Sequence, residues 1–440
     1  MDRSRLAAIL QLALPIIGGM ASQNLLNLVD TAMVGRLGPV ALAAVGVASF
    51  ATFMCMAAVM GLSAGVQAMA SRRKGEGQLA EAAVPLNGGI AIALAVSIPL
   101  SAALIWLAPV LFPVLNTDPA VIAEGVPYLQ ARLVAMAALG VNMAFRGFWN
   151  GIGLSGVYLR TLLVMHASNI ALNYVLIFGA LGAPALGTLG AGIGSAAATF
   201  IGAATYAWLG WRRARPNGFL VRLPTRATMA TMLRLSVPSS IQQLFFAGGF
   251  TALFWIVGRV GTAEVAAANV LLNVMLIAVL PGLGFGLAAA SLVGQALGAG
   301  DAADARRWGW DVVKVAAAAM AVLGLPMLAV PDAILSVFLH EPDTLALART
   351  PLRLVGATIA IEGVGMVLIN ALVGAGAVRQ VMAVSITLQW LAFLPLAYLV
   401  GPGLGLGLIG IWVCQVAYRA VQALVITGLW QRGRWAEIEV

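Results

Sequence analysis

Three polar side chains interrupt an apolar run near the start of the chain: Gln23, Asn27 and Asp30, in the stretch QNLLNLVDTAMVG. Their spacing of i, i+4 and i+7 lines one face of a helix. A carboxylate on such a stripe can hold a cation or carry a proton. If the run crosses a membrane the acid is costly, about 2.5–3.5 kcal/mol for an Asp near the middle of a spanning helix, which makes it a candidate functional group. Of the 16 acids, only Asp30 and Glu362, in ATIAIEGVGMVLINALVGAG, fall well inside apolar runs. Asn169 and Asn173, one turn apart, can share a polar site or join helices. Met33, Met54, Met56 and Met60 offer thioethers that adapt to varied ligands or fill a packed interface. Phe246, Phe250 and Phe254 form an aromatic stripe suited to helix packing or to an apolar ligand wall.

Other residues point away from enzyme chemistry. His166 and His340 read as a polar and a loop residue rather than proton relays. Cys55 and Cys414 lie in apolar runs, where buried packing is expected rather than a disulfide or metal site. Gly405, Gly407 and Gly410 fit G-x-G-x-x-G without a strand–turn–helix context, and neither a P-loop nor H-E-x-x-H occurs, so no catalytic residue, metal site or cofactor is expected.

The elements that hold these residues follow from composition. The 440 residues are 61% hydrophobic and only 9% charged, against roughly 25% charged in a soluble domain. Such a chain cannot cover a soluble surface; it fits an all-α polytopic membrane protein. Spans are expected near 12–34, 42–70, 86–112, 127–149, 158–179, 188–210, 235–257, 265–294, 312–330, 352–373, 380–400 and 404–428. The first should remain uncleaved, since no small-residue cleavage site ends its apolar run. Twelve spans put both termini on one side. Only Arg36, Arg132, Arg259, Arg349 and Arg353 sort to the opposite side, and the other 20 of the 25 basic residues share the termini's side, so the termini are expected to be cytoplasmic. The net charge of +9 is thereby a topology signal rather than a sign of nucleic-acid binding. The chain is expected to divide into a lobe at 1–210, a basic cytoplasmic linker at 211–234 and a second lobe at 235–440.

Shifting the sequence by 238 − 15 = 223 positions superposes the halves. Pro15 meets Pro238, "VGRLG" from Val34 meets "VGRVG" from Val257, Gly61 meets Gly284, Pro119 meets Pro342, and Gly151 and Gly153 meet Gly374 and Gly376. Six spans in each half give a parallel repeat, an arrangement in which transporters alternate access by rocking one half against the other. The repeat is also an internal control. Gln23, Asn27 and Asp30 correspond to Phe246, Phe250 and Leu253, so the same element is built elsewhere in the chain without the acid. Glu362 corresponds to Leu139, and Asn169 and Asn173 to Ala392 and Leu396.

"LALP…NLVDTAMVGRLG", the glycines of "KGEG" and "LGAG", and "NIALNYVLIFG" together resemble the multidrug and toxic compound extrusion (MATE) family over nearly the whole chain. The resemblance implies a V-shaped pair of pseudo-symmetric six-helix lobes in a bacterial plasma membrane, a monomer that exports organic cations and amphiphilic drugs in exchange for H⁺ or Na⁺. It implies a cation site at Asp30 with Asn169, and Pro15 as the point where the first helix bends. Asn173 stands where many members carry a second Asp, and Ser195 where many carry a Thr. Glu362 matches an acid of sodium-coupled NorM-type members, but Phe246 replaces their seventh-helix Glu. The mixture therefore resembles the proton-coupled DinF type more than the NorM type. With H⁺ as the coupling ion and Na⁺ near Asp30 the alternative, Asp30 would take up a proton outside and release it inside. A lipid or lipid-linked oligosaccharide flippase of the same superfamily is the rival; it should need a basic cavity, whereas the spans read as almost free of cations.

Overall fold

The computed structural model describes residues 2–440. It is all α-helical, as expected where no water is at hand to satisfy backbone groups and each spanning segment must close its own hydrogen bonds. Eleven helical segments are long and apolar enough to cross a membrane, and one pair bent by 46° supplies the twelfth pass. The first six passes are α1 (Arg3–Gly35), α2 with α3 (Pro39–Met60, Leu62–Gly75), α4 (Val84–Leu115), the bent pair α5 and α6 (Pro119–Val134, Met136–Gly151), α7 (Ser155–Phe178) and α8 (Gly187–Leu209). The last six are α9 (Arg226–Gly258), α10 (Thr262–Gly298), α11 (Ala302–Ala329) followed by the short α12 (Pro331–Leu335), α13 (Pro342–Gly374), a pass built from α14 and α15 (Val378–Ile386, Leu394–Tyr398) with π-helical turns at Thr387–Phe393 and Leu399–Gly403, and α16 (Gly407–Arg432). All twelve expected spans are present. Most run past their apolar limits, because polar residues at the ends continue the helix before a cap stops it. Gly179, at φ 73°, is such a stop, closing α7 in the left-handed conformation that glycine adopts without strain.

Small residues let these helices touch, and they do so twice over. On α6, a Cβ at Gly151 would lie 2.8 Å from the Gln67 carbonyl of α3. At the positions 223 further on, Gly374 of α13 lies equally tight against the Ala290 carbonyl of α10. Glycine at both sites admits backbone against backbone, the packing that holds membrane helices together.

Packing divides the chain into two units, one formed by Gly18–Gln243, the other by the residues up to Ile17 with Leu244–Val440. The lobes drawn from the linker at 1–210 and 235–440 differ from these units by the leading halves of α1 and α9. The reason lies in what those segments touch. Ile9, Leu12 and Ala13 are buried in a core with Phe285, Val293 and Trp430. In the other unit, Gly61 accommodates the backbone at Ser236 and Ser240 of α9, and Met229 and Met232 pack on Gly88. The repeat holds here too: Gly284 accommodates Ile17 as Gly61 accommodates Ser240.

Candidate cation site

Within the unit Gly18–Gln243, α1, α7 and α8 bring the polar stripe together. Asn173 Nδ2 donates to Asp30 Oδ1 at 2.9 Å and to Asn169 Oδ1 at 2.9 Å, and Asn169 Nδ2 donates to Ser195 Oγ at 3.1 Å. Asn169, Asn173 and Ser195 are buried, and Asp30 is half-buried. Gly194 leaves the room in which the Asn173 side chain lies. Asn173 Oδ1 is buried with no hydrogen-bond partner among the described residues, an acceptor that calls for a proton donor or a cation. The guanidinium of Arg132 on α5 acts on Asp30 electrostatically.

A second cluster sits one to two turns away. Gln23 Nε2 donates to Asn27 Oδ1 at 3.2 Å, and Gln23 Oε1 meets His166 Nε2 at 3.0 Å. The other ring nitrogen of His166 meets Ser22 Oγ at 3.1 Å. His166 is thus a clasp between α1 and α7, a role its position in the sequence does not reveal. No hydrogen bond joins Asn27 to Asp30 among the described residues. Met33 packs on the core around Val34, Ala44 and Phe112. Met54 and Met60 on α2 are half-buried, and Met56 is buried.

In the other unit the equivalent ground is apolar. Leu253 is buried in the same core as Tyr418 and Phe393, which stack at 5.1 Å. Phe250 packs against that core and meets Phe246 edge-on at 4.9 Å. Glu362 on α13 lies elsewhere, buried and ion-paired with Arg419 Nε of α16 at 3.3 Å. Arg419 Nη1 also donates to Gln422 Oε1 at 3.2 Å, and Gln422 Nε2 to Ser385 Oγ at 3.4 Å. This corrects the expectation of spans almost free of cations, since Arg132, Arg146 and Arg419 lie within α5, α6 and α16. The pairing could not be read from loop counting, which assigned Arg419 to the cytoplasmic side. The usable signal was the repeat: Arg419 corresponds to Ala196, so the cation is single-copy, as Glu362 is.

Twelve apolar passes in a two-fold repeated helical architecture, with acids inside the spans, define a multi-pass membrane transporter. The MatE family model matches residues 15–175 and 238–399, once in each half, and the chain belongs to this family. It is therefore a secondary transporter and not an enzyme. It is similar to "Probable multidrug resistance protein NorM" of Rhizobium meliloti, 29% identical over 438 residues, covering 95% of this chain and 91% of that protein. It is also similar to "Multidrug resistance protein NorM" of Burkholderia vietnamiensis, 30% identical over 427 residues, covering 93% and 89%. Among solved structures, an outward-facing MATE family transporter of the MOP superfamily superposes with a TM-score of 0.90 over 98% of this chain and 96% of that one, at 21% identity. The expectation of a DinF-type protein is overturned, because the relatives at this similarity are named NorM. One substituted position, Phe246, was too narrow a basis for a subtype that whole-chain similarity decides.

Proposed function

We propose that the protein is a proton-coupled antiporter that exports organic cations and other amphiphilic compounds by alternating access, with Asp30 as the coupling group. The observation that carries this reading is the hydrogen-bonded chain Asp30–Asn173–Asn169–Ser195 inside the spans, on ground that the other half fills with Leu253, Leu396, Ala392 and Tyr418. The names of the NorM relatives, as multidrug resistance proteins, support the substrate class.

As an anion, Asp30 accepts from the Asn173 amide. Once it carries a proton it becomes a donor, and the unpartnered Oδ1 of Asn173 is the acceptor that a turn of the same amide presents. Proton uptake cancels the charge of Asp30 and with it the attraction for a cationic substrate. Sodium needs several oxygen ligands at once, which here means Asp30 with the amide oxygens of Asn169 and Asn173 and the Ser195 hydroxyl, whereas a proton needs only the carboxylate of Asp30. Each charge moved down a 100 mV potential supplies about 2.3 kcal/mol, roughly a fifty-fold gradient. Gln23 and Asn27 extend the polar stripe. Met33, Met54 and Met60 of the unit Gly18–Gln243 are adaptable apolar contacts for substrate in this reading, Phe246, Phe250 and Glu362 are contacts offered by the other unit, and Pro15 is the bend of α1. The termini are cytoplasmic in this reading, and one chain suffices.

The test is efflux of a fluorescent organic cation from inverted vesicles. Efflux should collapse when the pH gradient and potential are dissipated at constant sodium, and Asp30→Asn should insert normally yet lose coupled efflux. Efflux that survives dissipation but stops when choline replaces sodium would overturn proton coupling, and wild-type rates in Asp30→Asn would overturn the assignment of the site.

A further inference from the structure

A cavity of about 890 Å³ opens in the unit that holds Leu244–Val440. Its walls include Arg5, Trp310, Asp311 and Trp435, and Arg306, Arg307 and Lys314 border it. The volume is in the ordinary range of small-molecule sites. The charge is lopsided, with four cations against the single carboxylate of Asp311. Part of that charge is already spent. Arg5 bonds Asp304 at 2.6 Å and Asp311 at 2.7 Å while lying 3.7 Å over the ring of Trp308, and Lys314 stands 3.6 Å from Asp311. Arg306 and Arg307 are exposed and have no ion pair among the described residues. One wall is rigid: Trp435 is buried, stacks on Trp430 at 4.0 Å and donates its ring N–H to the Trp430 carbonyl at 2.7 Å.

The repeat shows that the fold does not require any of this. At the positions 223 earlier, Arg306, Arg307, Trp310 and Lys314 become Ala83, Val84, Asn87 and Ala91. There the surface is closed by the linker. Asn87 donates to the carbonyls of Gly218 and Arg222 at 2.9 and 2.8 Å, accepts from the Leu220 N–H at 3.0 Å, and Ala83 N–H bonds Asn217 O at 2.9 Å. One half therefore seals the start of its third helix with its own chain, and the other keeps an open basic cavity walled by tryptophan.

We propose that this cavity binds a phosphate-bearing anion, with Arg306 and Arg307 as its ligands and the tryptophans as its walls. Guanidinium groups suit phosphate oxygens. Tryptophan beside basic residues at the end of membrane helices marks the headgroup level, which makes an acidic lipid headgroup the expected source and free phosphate the other.

The experiment is thermal melting of the full-length protein in detergent, titrated separately with dioctanoyl phosphatidylglycerol, dioctanoyl phosphatidylcholine and inorganic phosphate. Phosphatidylglycerol should raise the melting temperature saturably and phosphatidylcholine should not. In Arg306→Ala/Arg307→Ala the apparent affinity for phosphatidylglycerol should fall roughly thirty-fold. Arg212→Ala/Arg213→Ala, which removes the same charge from the other unit, should leave it unchanged; an equal loss there would show general charge attraction and overturn the site. Saturable stabilisation by inorganic phosphate, lost in the Arg306→Ala/Arg307→Ala variant, would support the site with a soluble ligand. An unchanged phosphatidylglycerol response in that variant, or equal responses of the wild type to both lipids, would overturn the proposal. The melting temperature of each variant without lipid separates loss of binding from loss of fold.

Discussion

The buried pair Glu362–Arg419 gives a prediction whose size follows from its surroundings. The two side chains are 8% and 16% exposed, and their 3.3 Å contact is too oblique for a hydrogen bond, so charge holds them. Breaking a buried pair by removing one partner costs about 3–5 kcal/mol, because the other charge is left uncompensated. The two partners are not equivalent. A carboxylate can bind a proton and become neutral, but a guanidinium keeps its charge. Glu362→Gln should therefore be the costlier single change. At about 2–4 °C per kcal/mol for a domain of this size, it should lower the melting temperature by roughly 6–20 °C. Arg419→Met should cost less. Glu362→Gln/Arg419→Met should recover most of the loss, since uncharged side chains of similar volume often replace a buried pair at little cost. The assay is a double-mutant cycle of thermal unfolding on detergent-solubilised protein, with a coupling energy of at least about 2 kcal/mol expected. Single changes that each shift melting by less than a degree, and that add without interaction in the double variant, would refute the reasoning.

Two further changes test the packing that positions the sites. Gly194→Ala puts a methyl group where the Asn173 amide oxygen lies; coupled efflux should fall about ten-fold or more, with helix content by circular dichroism unchanged, because the clash moves the partner of Asp30 by a fraction of an ångström or more. Asn87→Ala removes three hydrogen bonds to Gly218, Leu220 and Arg222, each worth about 1 kcal/mol, so limited proteolysis within 211–225 should accelerate severalfold.

The fold was legible because a membrane leaves the chain few options. Helices of about 20 apolar residues are almost the only spanning structure, and twelve of them appear in the sequence and in the structure. The Asp30 stripe was legible for a different reason: the second half repeats the element with Phe246, Phe250 and Leu253, so the polar residues stand out as additions. What was not legible depends on rotation and contact between helices distant in sequence. His166 reads only as a polar residue until α1 turns Ser22 and Gln23 toward both its ring nitrogens. Arg419 looks like part of a basic end until α13 presents Glu362. The unit boundaries fall inside α1 and α9, where no change of composition marks them, since a helix can leave one core and enter another without a loop.

The two intramembrane acids thus lie in different settings, one beside an amide and one beside a guanidinium. Glu362 is held in a buried ion pair by Arg419, whose guanidinium keeps its charge. The direct hydrogen-bond partner of Asp30 is an uncharged amide, which can donate to the anion or, turned over, accept from the acid. Arg132 acts on it only as a charge, without an ion pair among the described residues. In the proposed antiport cycle Asp30 is the group that exchanges its charge, while Glu362 and Arg419 form a buried ion pair in the other unit. The repeat makes the division possible. Two copies of one architecture hold the same helices in place, so each copy is free to lose or gain a polar group without loss of the fold, and the chain has placed its amide-bonded acid in one copy and its buried ion pair in the other.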